Sequence, residues 1–497
     1  MPNQQNQQHA FWGIDLLFLT LVIGILFFLF LGTRPLFAPD EGRYAEIARE
    51  MASSGHYITP YLNGIKYFEK PILFYWLGAA AIKVGGLNLW AIRSVNALLG
   101  LIGCLATYCT ARKLYDRKTG LWSALILSSS FLYFVMAHMV SLDLPITLFL
   151  ALCLYSFLLG SQNPPGTTRR FYCWGAAIAA ALAVLDKGLI GVVFPGLIIA
   201  TWLGLTGRWR ELRHFYLPSS IIIFIIIAAP WHIIVGIHNP EFYYFYFIEQ
   251  QFLRYATSGI GHEGPVWFFI PTLLLGFLPW TIFLPQALIH HFSWQHRNQY
   301  QVPLFFILWA TIIFLFFSFS QSKLIPYILP IFPPLAILTG HYVAERFNRS
   351  LIILFCLSAI LSVSFMAVGT RFDTRSIRPL AILLKPILTP EDEVITYNQY
   401  YQDLPFYLER RVSILNWKNE LSFGMQHQNT RAWMLDDATF WKRYDSSKRL
   451  FIFLSISEYK KLPRYYPGRH FYLISTTKNT ALISNHPYSA TLDMLTH

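Results

Sequence analysis

Apolar residues in this chain come in long unbroken runs, not with the short periods of half-buried strands or surface helices. Runs near the roughly 17–25 residues that cross a bilayer occur at 11–31, 90–111, 120–138, 144–161, 171–186, 188–206, 217–237, 265–290, 303–319, 324–342 and 350–369. Each predicts a membrane-crossing helix. A further stretch, 71–86 ("PILFYWLGAAAIKVGG"), is short, carries Lys83 and ends in a Gly pair. Three basic clusters decide its status: "ARKLYDRKTG" (Ala111–Gly120), "TTRR" (Thr167–Arg170) and "GRWRELRHF" (Gly207–Phe215). Lys and Arg concentrate in cytoplasmic loops, and these three clusters share a side only if 71–86 does not cross. We read it as a juxtamembrane or re-entrant helix. The threading gives eleven spans, with the N-terminus inside and the C-terminus outside; an additional pair would keep the same sidedness. It places 32–89, 141–143, 186–187, 238–264 and 320–323 on the outer face.

From about Thr370 the pattern changes. Short β-rich runs appear: "EVITY" (Glu393–Tyr397), "VSILN" (Val412–Asn416), "RLFIFL" (Arg449–Leu454), "HFYLIS" (His470–Ser475) and "TALIS" (Thr480–Ser484). Helix-like pieces lie between them, which predicts a small α/β domain. The domain expectation is a membrane domain over 1–369, with 32–89 as its first outer loop, and a soluble domain over 370–497 on the outer face.

Composition agrees with this class. The chain has 497 residues, of which 55% are hydrophobic and 13% charged, about half the charge of a soluble protein. The net charge of +13 then reads as loops facing anionic lipid, not as a nucleic-acid surface. The five cysteines lie in apolar stretches without metal-ligand spacing, so no disulfide framework is expected. The start, "MPNQQNQQHA", lacks a basic n-region, and the run after it is read as an uncleaved first span.

Polar residues gather on the expected outer face, mostly at span ends. "PDEGRYAEIAREM" supplies Asp40, Glu41, Arg43 and Tyr44; "YFEKP" supplies Tyr67, Glu69 and Lys70. "SLDLP" supplies Asp143, "LDKG" Asp186 and Lys187, "GHEGP" His262 and Glu263, and "SQSK" Lys323. Singly, each has a structural explanation. Asp40 is placed to cap a helix beginning near Glu41, and Asp143 to cap one beginning at Leu144. Lys187 and Lys323 suit interfacial anchors. Together they suit chemistry, because ionisable groups at such depth are costly unless paired or functional. Cations there fit a lipid-linked phosphate. Carboxylates fit a sugar, a developing positive charge at its anomeric carbon, or a proton. Glu and His from separate loops fit a divalent metal.

The stretches "PDEGRYAEIAREM", "YFEKPILFYWL", "SLDLP", "LDKG", "GHEGP" and "SKLIPYILPIFPPLA" occur in this order. The set resembles the aminoarabinose transferases, the undecaprenyl-phosphate 4-amino-4-deoxy-L-arabinose:lipid A transferases. The resemblance implies a polytopic GT-C glycosyltransferase fold of 11–13 spans, an odd number, related to the protein mannosyltransferases. It implies inverting transfer of the sugar from undecaprenyl phosphate to lipid A phosphates at the outer face of the bacterial inner membrane, giving polymyxin resistance. Asp40 and Asp143 correspond to the required acidic residues. Lys70, Tyr67 and Lys187 correspond to the lipid-phosphate pocket, with Arg43, Tyr44 and Lys323 beside them. Glu69 and His262 correspond to positions holding a divalent cation, expected to be zinc. No Walker-type loop is present, and no nucleotide is expected.

Two alternatives stay open at this stage. One is a related transferase with another sugar (galactosamine, galacturonic acid or a hexose) or a protein acceptor. The other is a lipid transporter or flippase, which needs polar groups through both halves of the membrane and shows no inverted repeat here.

Overall fold

The structure, a computed structural model, describes residues 11–253, 263–292, 301–346, 348–372 and 376–487. The chain divides into two compact units, each discontinuous in sequence. One comprises the chain up to Gly32, Phe68–Leu77 and Trp90–Ala367; the other comprises Thr33–Tyr67, Gly78–Leu89 and the chain from Val368 onward.

The first unit is helical. Among the described residues, six helices are each long and apolar enough to cross a membrane: Leu89–Leu114, Asp143–Ser161, Leu217–His238, Gln301–Phe319, Ile325–Glu345 and Arg349–Gly369. Two bent pairs raise this to as many as eight. Shorter apolar helices occupy Trp12–Phe28, Leu73–Gly85 and Ile190–Thr206, and Thr167–Lys187 is helical as well. Every expected span therefore falls on helix, but two are not single rods.

The run 120–138 is a helix pair, Arg117–Ser129 and Phe131–Ala137, bent by 68°. Ser128, Ser129 and Ser130 sit at the bend, and their hydroxyls donate back to the carbonyls of Leu125 and Ile126 at 2.6–3.1 Å, a bonding mode that loosens helices. The run 265–290 is likewise Val266–Gly276 followed by Trp280–His291, bent by 108°. Pro279 stands at that break, without an N–H to continue the ladder and restricting the residue before it. Hydropathy averages over both breaks and does not see them.

Burial ranks the helices. Of the most apolar window of Asp143–Ser161, 89% is buried inside the protein, against 22% for Arg349–Gly369 and 28% for Leu217–His238. The first is central, and the other two leave most of their surface for lipid. Trp202, Trp280 and Trp309 are wholly buried in the shared core. Asp143–Ser161 and Thr167–Lys187 pack along each other, joined by the short connection 162–166, so they run antiparallel. The start of one therefore lies beside the end of the other.

The second unit is built on a six-stranded sheet of order β5-β4-β3-β6-β8-β7. The strands are β3 (Glu393–Tyr397), β4 (Ser413–Leu415), β5 (Met434–Leu435), β6 (Leu450–Ser455), β7 (Tyr472–Thr476) and β8 (Thr480–Ser484). The first four in that order pair in parallel and the last two are antiparallel. Parallel neighbours need crossovers, here carrying the short helices Leu404–Leu408, Ser422–Gln426 and Asp437–Tyr444.

The 33–67 segment belongs to this same unit. Its helix Asp40–Ser54 is followed by a hairpin, β1 (Tyr61–Leu62) and β2 (Ile65–Lys66), turned by Asn63 and Gly64 at φ 53° and 75°. Both central residues at positive φ are what a tight hairpin of this hand needs, hence Asn-Gly. The Asn63 amide exchanges two hydrogen bonds of 2.9 Å with the backbone of Val412 at the head of β4. Gly42 leaves room for the chain at Asp403: a Cβ there would stand 2.7 Å from the Asp403 nitrogen. A domain boundary read along the chain cannot express such an arrangement.

The same helix carries a buried acidic cluster. Glu46 is wholly buried and paired bidentately with Arg49 at 2.7 Å, while the Glu50 carboxylate accepts from the Gly64 N–H at 2.8 Å. Burial, then the nearby Glu46 charge, pushes Glu50 up to about 8. An unfolded glutamate titrates near about 4.3, so folding favours the protonated form. The stability this contributes is present in acid and is lost progressively as pH rises through about 8. Melting temperature is expected to fall across that window, and Glu50→Gln to flatten the fall, by up to about 1.4 kcal/mol per pH unit. Melts of the full chain from pH 5 to pH 9 check this; parallel curves for both proteins would contradict it.

Candidate active site

In the helical unit, the antiparallel packing sets Asp143 against Lys187. Asp143 does not cap its helix: it is the first helical residue, the cap position is Leu142, and no side-chain cap bond forms. Its carboxylate is engaged elsewhere. One oxygen is ion-paired with Lys187 Nζ, and the other accepts from the Ser141 hydroxyl at 2.9 Å. The backbone N–H of Asp143 in turn donates to Ser141 Oγ at 3.1 Å. Both charged side chains are largely buried, where a pair of this kind holds its geometry tightly. The Lys187 ammonium also lies 5.0 Å from the centre of the Tyr327 ring, at favourable cation–π distance. The approach to Asp143 is held by Asn96, whose amide donates to the carbonyls of Met139 at 2.6 Å and Ser141 at 2.8 Å. Asn96 and Ser141 were not among the residues singled out from sequence. Asn96 sits mid-run in an apolar helix, and that polarity was the available signal.

Asp186 is the unusual member. It is 0% exposed, and neither carboxylate oxygen has a hydrogen-bond partner. The charges that act on it are those of Lys187, Asp143 and Lys70. A buried carboxylate of this kind is costly; Lys187 and Lys70 reduce that cost in part, and Asp143 adds to it. Lys70 and Glu69 are half-buried at the start of Phe68–Leu77. Lys323 is buried and donates to the Ser320 carbonyl, so in this conformation it braces its own turn. Gly264 lies against its stem: a Cβ there would meet Lys323 Cδ at 3.1 Å. His262 lies outside the described residues. Among those described, no group of three or more metal-ligating side chains forms at Glu69. The one such group is His290, His341 and Glu345.

In the sheet-containing unit, Asp40 opens the Asp40–Ser54 helix as its first helical residue. The cap position is Pro39 and no side-chain cap bond forms, so the capping expectation fails for Asp40 as it does for Asp143. The Asp40 side chain is 51% exposed and meets Arg43 at 3.5 Å; Arg43 also meets Glu420 at 3.6 Å. Gln402 donates to the same Glu420 oxygen at 2.8 Å. Glu41 has the opposite environment. It is wholly buried, accepting from Arg34 at 2.6 Å and from the Phe37 N–H at 2.8 Å, and so ties the entering chain to the helix. Tyr44 is half-buried and Tyr67 fully buried. A cavity of about 580 Å³ lies beside Arg43, lined among others by Pro39, Tyr400, Trp417, Asn419 and Glu420. Aromatic faces beside amides and one ion pair suit a hydroxyl-rich ligand.

The arrangement of spans and polar span ends has close structural counterparts. The chain superposes on ArnT from Cupriavidus metallidurans bound to undecaprenyl phosphate with a TM-score of 0.86 and 26% identity, covering 96% of this chain and 98% of that one. The apo oligosaccharyltransferase of Archaeoglobus fulgidus shares the fold at a TM-score of 0.55 and 12% identity, over 98% of this chain and 76% of that one. Residues 69–234 match the dolichyl-phosphate-mannose-protein mannosyltransferase family, and 380–483 match the aminoarabinose transferase C-terminal domain. The protein is therefore a polytopic membrane protein of the GT-C glycosyltransferase fold with an α/β C-terminal sheet. Among curated proteins it is 34% identical to the undecaprenyl phosphate-alpha-4-amino-4-deoxy-L-arabinose arabinosyl transferase 1 of Proteus mirabilis, over 73% of this chain and 66% of that protein. It is 35% identical to the corresponding transferase of Aeromonas salmonicida, over 66% of this chain and 58% of that protein. The chain thus aligns with less than two thirds of the length of each of these relatives. It belongs to the aminoarabinose transferase family.

Proposed function

We propose that this protein transfers 4-amino-4-deoxy-L-arabinose from undecaprenyl phosphate to lipid A phosphates at the periplasmic face of the inner membrane. The observation that carries the reading is the largely buried Asp143–Lys187 pair beside the buried Asp186, on which Lys187, Asp143 and Lys70 all act, in a chain so similar to a structure holding undecaprenyl phosphate. In the reaction, an acceptor phosphate oxygen bonds to the anomeric carbon as the bond to the polyprenyl phosphate breaks. The electron pair leaves with that phosphate, and attack opposite the leaving group inverts the centre.

Each side chain has a part. Lys187 and Lys70 neutralise the polyprenyl phosphate as it departs with an added charge. Asp143 orients Lys187 and keeps it from folding back on its own helix. Lys323 exchanges its bond to the Ser320 carbonyl for a phosphate. Tyr67 contributes to the lipid-phosphate pocket, and Arg43 and Tyr44 position the groups that Asp40 meets. A phosphate monoester is already largely ionised at neutral pH, its second pKa being about 6, so Asp40 is not required as a strong base. Its role is to hold the sugar, through the amino group, or to face the positive charge developing at the anomeric carbon. Glu69, with His262, is the proposed position for a divalent cation, expected to be zinc. The described residues do not assemble a ligand set there, and no step runs through a metal.

Mass spectrometry of lipid A from a strain lacking the gene and from its complemented parent tests the reading. The expected result is loss of a pentosamine-mass modification, together with increased polymyxin sensitivity, because uncovered phosphates bind the cationic peptide better. Loss of a hexose, hexosamine or uronic acid mass would reassign the sugar, and unchanged lipid A would overturn the acceptor.

A further inference from the structure

The Ile325–Glu345 helical segment has Tyr327, the ring beside Lys187, near its start. Near its end, 14 to 18 residues and so roughly 20–27 Å further on, stands a different constellation. His341 and Glu345 are four residues apart and share a helix face. His290 comes from the Leu284–Phe292 helix, which packs against Phe332–Glu345. One ligand atom from each of the three lies within 4.8 Å of the others. His290 Nε2 and Glu345 Oε2 are 3.3 Å apart. Two ligands bonded at about 2.0–2.1 Å in a tetrahedral zinc site stand roughly 3.3–3.4 Å from one another, so this pair already has the required separation.

The surroundings favour one set of ligands and a cation. His341 packs on Tyr115 at 4.2 Å and stacks on His291 at 5.2 Å and 27°, which limits how its ring can turn. His291 is engaged elsewhere, with its Nε2 3.2 Å from the Leu338 carbonyl, and is not a member of the set. The Phe332–Glu345 helix ends here, and the unpaired carbonyls of a last turn carry partial negative charge. His290 is mostly buried while Glu345 is 42% exposed, leaving a path of entry. Arg346 lies 3.2 Å from the same Glu345 oxygen and is half-exposed, so it can swing into solvent when a cation takes its place.

We propose that His290, His341 and Glu345 bind a divalent cation of the zinc class that clasps the Leu284–Phe292 and Phe332–Glu345 helices. Two imidazoles and a carboxylate suit zinc, whereas magnesium and calcium take oxygen shells. The distance along the helix from Tyr327 puts this cation beyond reach of groups held by Lys187, so its role is structural.

The test uses the full chain in detergent, stripped with chelator and reloaded. Cobalt(II) reports coordination by absorption, and zinc content is measured by mass spectrometry of the metal. Wild type is expected to show intense tetrahedral cobalt bands, and zinc to raise its melting temperature. His341→Ala and Glu345→Gln are expected to lose the bands and one equivalent of zinc, or to weaken binding by about 100-fold. Glu391→Gln, at an exposed position of the sheet-containing unit, is expected to keep both. Glu345→Gln changes a half-exposed side chain, so it decides the matter if His341→Ala does not fold. Equal zinc content and equal bands in wild type and Glu345→Gln, whether from an adventitious ion or a site elsewhere, overturn the proposal, as does a wild type that takes up no zinc.

Discussion

Asp40→Asn is expected to lower the turnover number by about 100-fold or more, the range seen when one preorganised charge facing a transition state is removed. Melting temperature is expected to change little. Asp40 is half-exposed and its nearest cation, Arg43, is 3.5 Å away, a kind of pair whose removal costs about 0–1 kcal/mol. Stability and activity should therefore separate at this residue. Glu41→Gln gives the opposite pattern. Glu41 holds Arg34 and the Phe37 N–H in a fully buried position, and replacing the carboxylate leaves Arg34 half-compensated, at a cost of about 1–3 kcal/mol. Transfer from polyprenyl-phosphate donor to lipid A in reconstituted vesicles, alongside thermal melts, measures both. Near-normal turnover in Asp40→Asn would remove the essential-carboxylate reading.

The second large effect belongs to the Asp143–Lys187 pair. Lys187→Met leaves Asp143, and beside it the unpartnered Asp186, with less compensating charge. Breaking one side of a buried pair costs about 3–5 kcal/mol, so melting temperature is expected to fall by several degrees and transfer to become undetectable. Asp143→Asn/Lys187→Met removes both charges, which is far less costly than removing one. That double variant is expected to regain much of the lost stability and none of the transfer, because the cation that meets the phosphate is still missing. Recovery of transfer together with stability would show that Lys187 serves only the fold.

Several features were legible in the sequence because they are local. "TALIS" is β8 and "EVITY" is β3 to the residue, since β-branched runs bounded by polar residues carry their own signal. The "LNGIK" hairpin was not singled out from sequence, although its Asn-Gly is what two positive φ angles demand. Membrane runs announce themselves because hydrocarbon tolerates little else. The two-residue strand β5 (Met434–Leu435) went unseen: its pairing with β4 supplies what its length does not.

Reading along the chain was enough for the class of protein, the positions of the apolar helices and most strands, and the order of the motifs in which Asp40, Lys70, Asp143 and Lys187 stand. These depend on composition and period within a window of a few residues to two dozen. Packing in three dimensions sets which acid of the Asp40–Glu41 pair faces solvent, that Asn96 holds the turn before Asp143, and that 33–67 folds with the C-terminal sheet. The same holds for the breaks after Ser129 and Gly276 and for the meeting of His290 with His341 and Glu345. Most of these depend on groups tens to hundreds of residues apart, brought together by packing, and pairings of that kind leave no periodic trace along the chain.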